Sequence, residues 1–395
     1  MSKLPLISAV LICLILTACS PPAGTNPNNP PASASPQPSP GAATPSPGAA
    51  IPSPGAATPV PSDANALSLS KISTVAGGGK DLVPEAKDGS LSEARFQEPT
   101  GVVADASGNL YVTDEGSNTI RKITAQGVST LAGTGKPGYK DGPGNEAQFS
   151  DPWDLVLDAQ GNLYVADSGN HRIRKITPDG TVSTVAGSGK NDLNDGPALE
   201  ADFFNPTGLD RDAQGNFYVA DQTNNVIRKI SASGQVSTLA GSPDGTSGLT
   251  DGKGAAAMFR RPTDVLMTAR GLYVADDGNH AIRLIAADGT VTTLVGRGAR
   301  SQGNQDGSSA TAELNGPASL TADRAGNIYF VEFNGNTVRR MNPAGDVTTL
   351  ISGIPGGFVD GSLAIGKVNA PTGIFCDGKV LFVADRDNHR IRKLD

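Results

Sequence analysis

The chain reads as an all-β protein, a six-bladed β-propeller of four-stranded antiparallel blades, and three observations predict it. A unit of roughly 54 residues recurs six times, opened by Pro99, Pro152, Pro206, Pro262, Pro317 and Pro371. Each unit carries four short strand signals separated by Gly-containing turns, which suit antiparallel hairpins. The sixth unit stops after its third strand, HRIRKLD, and a matching fourth strand, KISTVAG at 71–77, stands before the first unit. A fixed period with several strands per unit is the mark of radial repetition. Strand 71–77 is expected to complete the last blade and close the ring, which removes exposed sheet edges.

Ahead of the repeats lie two segments of different character. In residues 1–18, Lys3 precedes the apolar run LPLISAVLICLIL, which ends in Leu16-Thr17-Ala18 before Cys19. A short cationic start and an apolar core of this length suit a secretory signal better than a spanning helix. Leu-Thr-Ala-Cys resembles a bacterial lipobox, which implies lipidation of Cys19 and a stable anchor in a membrane. The expected location is the extracytoplasmic side of a bacterial cell envelope, at the outer membrane where there is one, because Ser20 rather than Asp follows the cysteine. Residues 19–66 have no charge before Asp63 and hold three copies of PSPGAA, starting at Pro38, Pro45 and Pro52. Such a segment buries too little apolar surface to fold and reads as a disordered, Pro-rich tether. Its reach is at most about 145 Å. The propeller is expected over 67–395. There Cys376 is the one cysteine, so no disulfide can form within it.

In the first unit the strand signals run Gly101 to Asp105, Asn109 to Thr113, Thr119 to Thr124 and Val128 to Ala132. The recurring string is P-x-G-[VL], then G-N-[LIF]-Y-V-[AT]-D, then N-[NH]-x-I-R-K. It resembles the NHL repeat, and the bacterial form adds Asp-Gly before each repeat and V-S-T-[LV]-A-G after it. The resemblance covers residues 71–395 and implies a six-bladed NHL propeller. It implies little about chemistry, since the family includes protein and RNA binders, sensors and an amidating lyase.

The turns between strands two and three share one face with long inter-blade connections such as TGKPGYKDGPGNEAQFSD. Long loops on a rigid scaffold make this the expected functional face. Each connection holds an Asp-Gly pair, at Asp88, Asp141, Asp195, Asp251, Asp306 and Asp360. None has the ligand spacing of a calcium loop, so they read as turns, each followed by an apolar plug between blades. Asp114, Asp167, Asp221, Asp276 and Asp385, with Ile-Arg pairs such as Ile120-Arg121, are expected to form turn hydrogen bonds and ion pairs between blades. His171, His280 and His389 share one repeat position that Asn118, Asn225 and Asn336 fill elsewhere, so a hydrogen-bonding turn role explains both. A net charge of −7 and the export signal disfavour nucleic acid as a partner.

Functional clues lie where the copies disagree. After the proline, Thr-Gly is usual, but the second copy has Trp153-Asp154 and the fourth Thr263-Asp264, preceded by Arg260-Arg261. The fifth has Glu332-Phe333 where Asp-x is usual, and Tyr139 adds an aromatic in the first long connection. Trp153, Asp154, Arg260, Arg261, Asp264, Tyr139, Glu332 and Phe333 are therefore the candidate binding residues. The leading reading is a monomeric, non-catalytic binding or scaffold module for a protein, peptide or glycan, with no required cofactor. The alternative is a metal-dependent lyase or lactonase-like hydrolase with calcium or zinc at the axial channel mouth. Asp154 and Asp264 are its candidate ligands, Asp210 and Glu332 supplementary ones.

Overall fold

The computed structural model describes residues 66–78, 85–296, 298 and 302–395. Signal, lipidation site and nearly all of the tether lie outside the described residues. Six antiparallel sheets form the ring. Blade 1 comprises Pro99–Ala104, Leu110–Asp114, Thr119–Thr124 and Gly127–Ala132. Blade 2 comprises Pro152–Leu157, Leu163–Asp167, Arg172–Ile176 and Val182–Ala186. Blades 3, 4 and 5 open at Pro206–Arg211, Pro262–Thr268 and Pro317–Ala322. In blade 6, Pro371–Cys376, Leu381–Asp385 and Arg390–Leu394 are followed in space by Lys71–Ala76. Ile72 opposite Leu394 and Ser73 opposite Lys393 fix that register, so the N-terminal strand closes the ring. It ends one residue before the expected Gly77, whose φ of 99° leaves the extended region.

Strands run inward-to-outward through each blade, and alternation places their apolar residues between neighbouring sheets. Phe259, for example, is fully buried in one cluster with Ala220 and Ile227 of blade 3 and Val265 and Val274 of blade 4. Phe96, Phe149 and Phe203 plug the equivalent gaps, and Leu314 and Val368 take that place in blades 5 and 6. The inter-blade connection also does more than turn. The glycine of each Asp-Gly pair bridges the outer strand of the blade it leads into, as Gly89 does with Val128 and Gly142 with Val182. The outer edge of every blade is thereby covered.

The repeated Asp and Arg form buried ion pairs, but within blades rather than between them. Arg174 reaches Asp167 at 2.5 Å, both fully buried, and Asp141 at 2.6 Å. Asp141 also accepts the Thr184 backbone N–H at 3.0 Å. The connection folds back over its own blade, which is why the second carboxylate comes from the same unit. Arg228 does the same with Asp221 and Asp195, each at 2.8 Å. In blades 1 to 4 the arginine also lies over the plug, as Arg228 does 5.0 Å from the Phe203 ring centre. Burial pushes Asp221 up to about 6, against the pull of Arg228. It is still the ionised partner at neutral pH.

A repeated hydrogen bond between each blade and the next comes instead from the shared His/Asn position. Each of these residues has a left-handed backbone and turns its side chain toward the next blade. His171 Nδ1 accepts the Asn205 N–H at 3.2 Å, His280 Nδ1 that of Gly316 at 3.1 Å, and His389 Nδ1 that of Glu98 at 3.2 Å. Asn118, Asn225 and Asn336 accept the equivalent N–H of Asp151, Arg261 and Ala370 through Oδ1. A neutral imidazole and an amide are interchangeable here because both offer an acceptor.

Candidate functional site

Two rings of side chains surround the axis on the face bearing the connections. In every blade the pairing of the first two strands is irregular just after the opening proline, as between Pro99 and Val102 or Pro152 and Leu155. Such irregularity re-aims side chains. The position after the proline, occupied by Thr100, Trp153, Thr207, Thr263, Ala318 and Thr372, forms the inner ring. The residue after the repeated acid forms the outer ring, and it differs in every blade: Glu115, Ser168, Gln222, Asp277, Phe333 and Arg386.

Between these rings lies a cavity of about 370 Å³. Trp153 and Phe333 line it from blades 2 and 5, which are opposite one another in a six-bladed ring. Gln222, Arg261, Asp277, Asn334 and Arg386 complete its polar wall. Arg386 is held in place by Glu115 at 3.0 Å and Glu98 at 2.5 Å. Other groups have no such partner: among the described residues no protein donor reaches the Asp277 carboxylate. Burial pushes that carboxyl up, opposed by Arg261 and His280.

Below the mouth the channel narrows to a neck of about 10 Å³ between Trp153, Asp154, Thr263, Asp264 and Ser319. That is room for at most about one water molecule. It widens beneath into a space of about 130 Å³ lined by Val103, Leu155, Leu266, Phe375 and the carboxylates of Asp154, Asp210 and Asp264. Each carboxylate spans to the inner strand of the next blade. Asp154 accepts the Leu209 N–H at 3.4 Å, Asp210 that of Met267 at 2.7 Å, and Asp264 that of Leu320 at 2.7 Å. The hydroxyls of Ser319 and Thr321 serve Ile374 and Cys376 in the same way. The inner strands of neighbouring blades belong to separate sheets, and these side chains satisfy the N–H groups that no sheet partner reaches. Gly208 stands beside Asp264 because a Cβ there would overlap the Asp264 carboxylate and Cα.

Burial raises all three carboxyls. Asp154 is pushed up to about 7 by burial and by the charge of Asp210, and Asp210 to about 6 by burial. Asp264 is raised well above the usual carboxylate range by burial and by Asp154. All three line the channel space, where Asp154 and Asp210 are half-buried and Asp264 is 5% exposed. No three His, Cys, Asp or Glu side chains converge as metal ligands among the described residues.

The eight candidates thus separate. Trp153, Arg261 and Phe333 meet at the mouth, with Asp154 and Asp264 in the neck directly beneath. Glu332 does not join them. It is fully buried, pairs with Arg339 at 3.2 Å and replaces the repeated Asp as a structural acid. Tyr139 is likewise apart, its ring 3.8 Å from the Arg172 guanidinium and its hydroxyl 3.0 Å from that of Thr184. Arg260 is exposed outside the cavity, its backbone N–H donated to Asp276. Arg261 lies by Asp277, so it neutralises that residue rather than Asp154 or Asp264. Gln222, Asp277, Asn334 and Arg386 were not singled out by sequence reasoning. The signal for three of them was present, since the residue after the repeated acid is the one that never repeats.

The NHL repeat model matches residues 96–123 and 149–176, the ends of which bracket most of the first three strands of blades 1 and 2. NHL repeat-containing protein 2 of Bos taurus is 33% identical over 291 residues, 64% of this chain and 40% of that protein. The Homo sapiens protein of the same name is 31% identical over 328 residues, 72% and 44% of the two chains. The chain therefore spans about two fifths of the length of these curated relatives. A Bacteroides thetaiotaomicron structure of unknown function superposes with a TM-score of 0.63 at 19% identity, covering 82% of this chain and 75% of the other. Another from that organism, described as an auxiliary nutrient binding protein, gives 0.63 at 16% identity, covering 82% and 76%. With the repeat string recurring in all six blades of one closed ring, the chain is an NHL-repeat β-propeller.

Proposed function

We propose that the chain is an extracytoplasmic, membrane-anchored binding module that receives a protein, peptide or glycan partner at the mouth on its connection-bearing face. The observation that carries this is the mouth cavity, where Trp153 and Phe333 face polar groups that the fold itself does not engage. A concave site with aromatic walls and a few free polar groups is how small recognition sites are built. Below it, Asp154, Asp210 and Asp264 accept backbone N–H groups of neighbouring blades, so their lone pairs support the ring. This favours binding over metal-assisted hydrolysis. The lipobox-like Leu-Thr-Ala-Cys19 and the tether support display from a bacterial envelope, at a distance that suits a large partner.

The test is site-directed. A photo-cross-linking residue placed at Arg260, which is exposed beside the mouth and outside the cavity wall, is expected to trap a partner on intact cells. The Trp153→Ala/Arg261→Ala variant, folded as judged by its circular dichroism, is expected to lose that product. Undiminished cross-linking in the double variant would overturn the mouth as the binding site.

A further inference from the structure

We infer that the mouth takes a neutral, hydroxyl-rich ligand with an apolar face, the end of a glycan chain, seated with one sugar ring against Trp153. This rests on the mouth being the binding site. Four polar side chains in the cavity wall make no side-chain hydrogen bond to protein among the described residues: the Gln222 and Asn334 amides, the Arg261 guanidinium, and the Asp277 carboxylate, which interacts with Arg261 and His280 only electrostatically. Their chemistries differ. Asp277 accepts only, Arg261 donates only, and the two amides do both. Ligand classes can be sorted by what each would leave unsatisfied.

An anionic ligand paired with Arg261 would set like charge against Asp277. A cationic ligand paired with Asp277 would meet Arg261 and Arg386 on the same wall. An apolar ligand would strip water from Asp277 and replace it with nothing, which is costly for a carboxylate. A hydroxyl donates to Asp277 and accepts from Arg261 with equal ease, and several hydroxyls on one ring can reach all four groups. The C–H face of a pyranose supplies the apolar surface that Trp153, half-buried and presented from the inner ring, would cover.

Size and access agree with this. The cavity of about 370 Å³ is at the small end of ligand pockets, room for about one or two sugar rings. The neck of about 10 Å³ closes its floor, so a chain enters from above by its end and does not thread the ring.

Trp153 is the one tryptophan in the chain, so tryptophan emission, excited at the red edge where tyrosine does not absorb, reads this cavity. Full-length protein should be titrated with short neutral fragments of β-glucan, mannan, galactan and chitin. We expect at least one to give a saturable blue shift. By calorimetry, Asp277→Ala and Trp153→Ala should each weaken that binding at least tenfold. Asp277→Asn, which keeps an acceptor and the fold, should weaken it less. If no neutral fragment moves the emission, or if both alanine variants bind unchanged, the glycan assignment is wrong. A pool of short peptides run in parallel separates the two failures. Peptides that shift the emission when sugars do not would overturn the glycan and leave the mouth as a binding site. No response to either, together with undiminished cross-linking in the Trp153/Arg261 double variant, would remove both.

Discussion

Replacing Asp154 with asparagine should stabilise the protein, and by an amount that grows with pH. In the folded chain Asp154 titrates at about 7 rather than 3.8, through burial first and the Asp210 charge second. Folding raises the pKa, so the native state holds this proton more tightly than the unfolded chain. The associated stability is fully present below about pH 4 and is lost as pH rises to about 7. A shift of that size corresponds to about 4 kcal/mol. Asp154 borders the channel, and solvent reaching it there reduces the figure to about 2 kcal/mol. The asparagine of Asp154→Asn has no proton to lose and keeps a carbonyl oxygen for the Leu209 N–H. The stability difference between variant and wild type should therefore climb by about 2 kcal/mol from pH 4.5 to pH 8, or about 3 °C in midpoint. The measurement is urea unfolding followed by circular dichroism at half-unit pH steps. Other raised carboxyls, such as Asp114 and Asp167, occur in both proteins and cancel in the difference. A difference that stays flat with pH would mean that Asp154 is ionised in the fold like any surface carboxyl, and the reasoning would fail. Asp264→Asn should show the same sign, and the double variant less than the sum, because the Asp154 charge is part of what raises Asp264.

Two further outcomes test the ring itself. Burial lowers the pKa of His171, His280 and His389 below 6.5, and each Nδ1 must stay unprotonated to accept its N–H. The stability they contribute is present above pH 6.5 and lost as pH falls. The triple variant carrying asparagine at all three should match wild type at pH 8 and exceed it at pH 5, by about 1 kcal/mol per site in thermal or urea unfolding. An equal acid loss in both proteins would show that these contacts do not carry the sensitivity. Removing the Arg228 side chain as Arg228→Ala should cost about 3–5 kcal/mol in urea unfolding, because Asp221 would be left buried and unpaired. A cost under about 1 kcal/mol would mean that Asp221 is neutral in the fold.

The six-fold repeat made the architecture readable because every copy repeats the same strand-forming string, and the truncated sixth unit showed how the ring closes. Strand ends shifted by a residue or so: the inner strand of blade 1 begins at Pro99 rather than Gly101, since a proline can open a strand where no ladder N–H is needed. Pairing partners were harder to read. Asp88 and Asp114 are both repeated acids, but only the folded chain shows that both meet Arg121, from a connection and from a strand. A repeat sequence gives the period of a charge and not the fold-back that brings a second one to it.

For the site, the same logic runs in reverse. Ring closure converts sequence positions one period apart into neighbours around an axis, so residues at a repeated position are structural wherever the copies agree and free to specialise where they differ. Trp153 and Phe333 were legible on that rule, and Gln222, Asp277 and Arg386 obey it too, since the residue after the repeated acid changes in all six copies. Glu332 shows where the rule stops. It differs from Asp yet does the same work, because its extra methylene still brings an oxygen within 2.9 Å of the Asn315 N–H, as Asp276 does at 2.8 Å for Arg260. A substitution that keeps the chemical group can leave the role unchanged, whereas one that replaces threonine by tryptophan beside the axis cannot. The Gly/Asp alternation at the neck follows from crowding as well. Gly208 faces Asp264, and Gly101 faces Asp154, because adjacent inner strands have space for one side chain and not for two. Where a carboxylate takes that space it also bonds the next strand, so Asp154 and Asp264 close the channel floor and leave recognition to the rings above them.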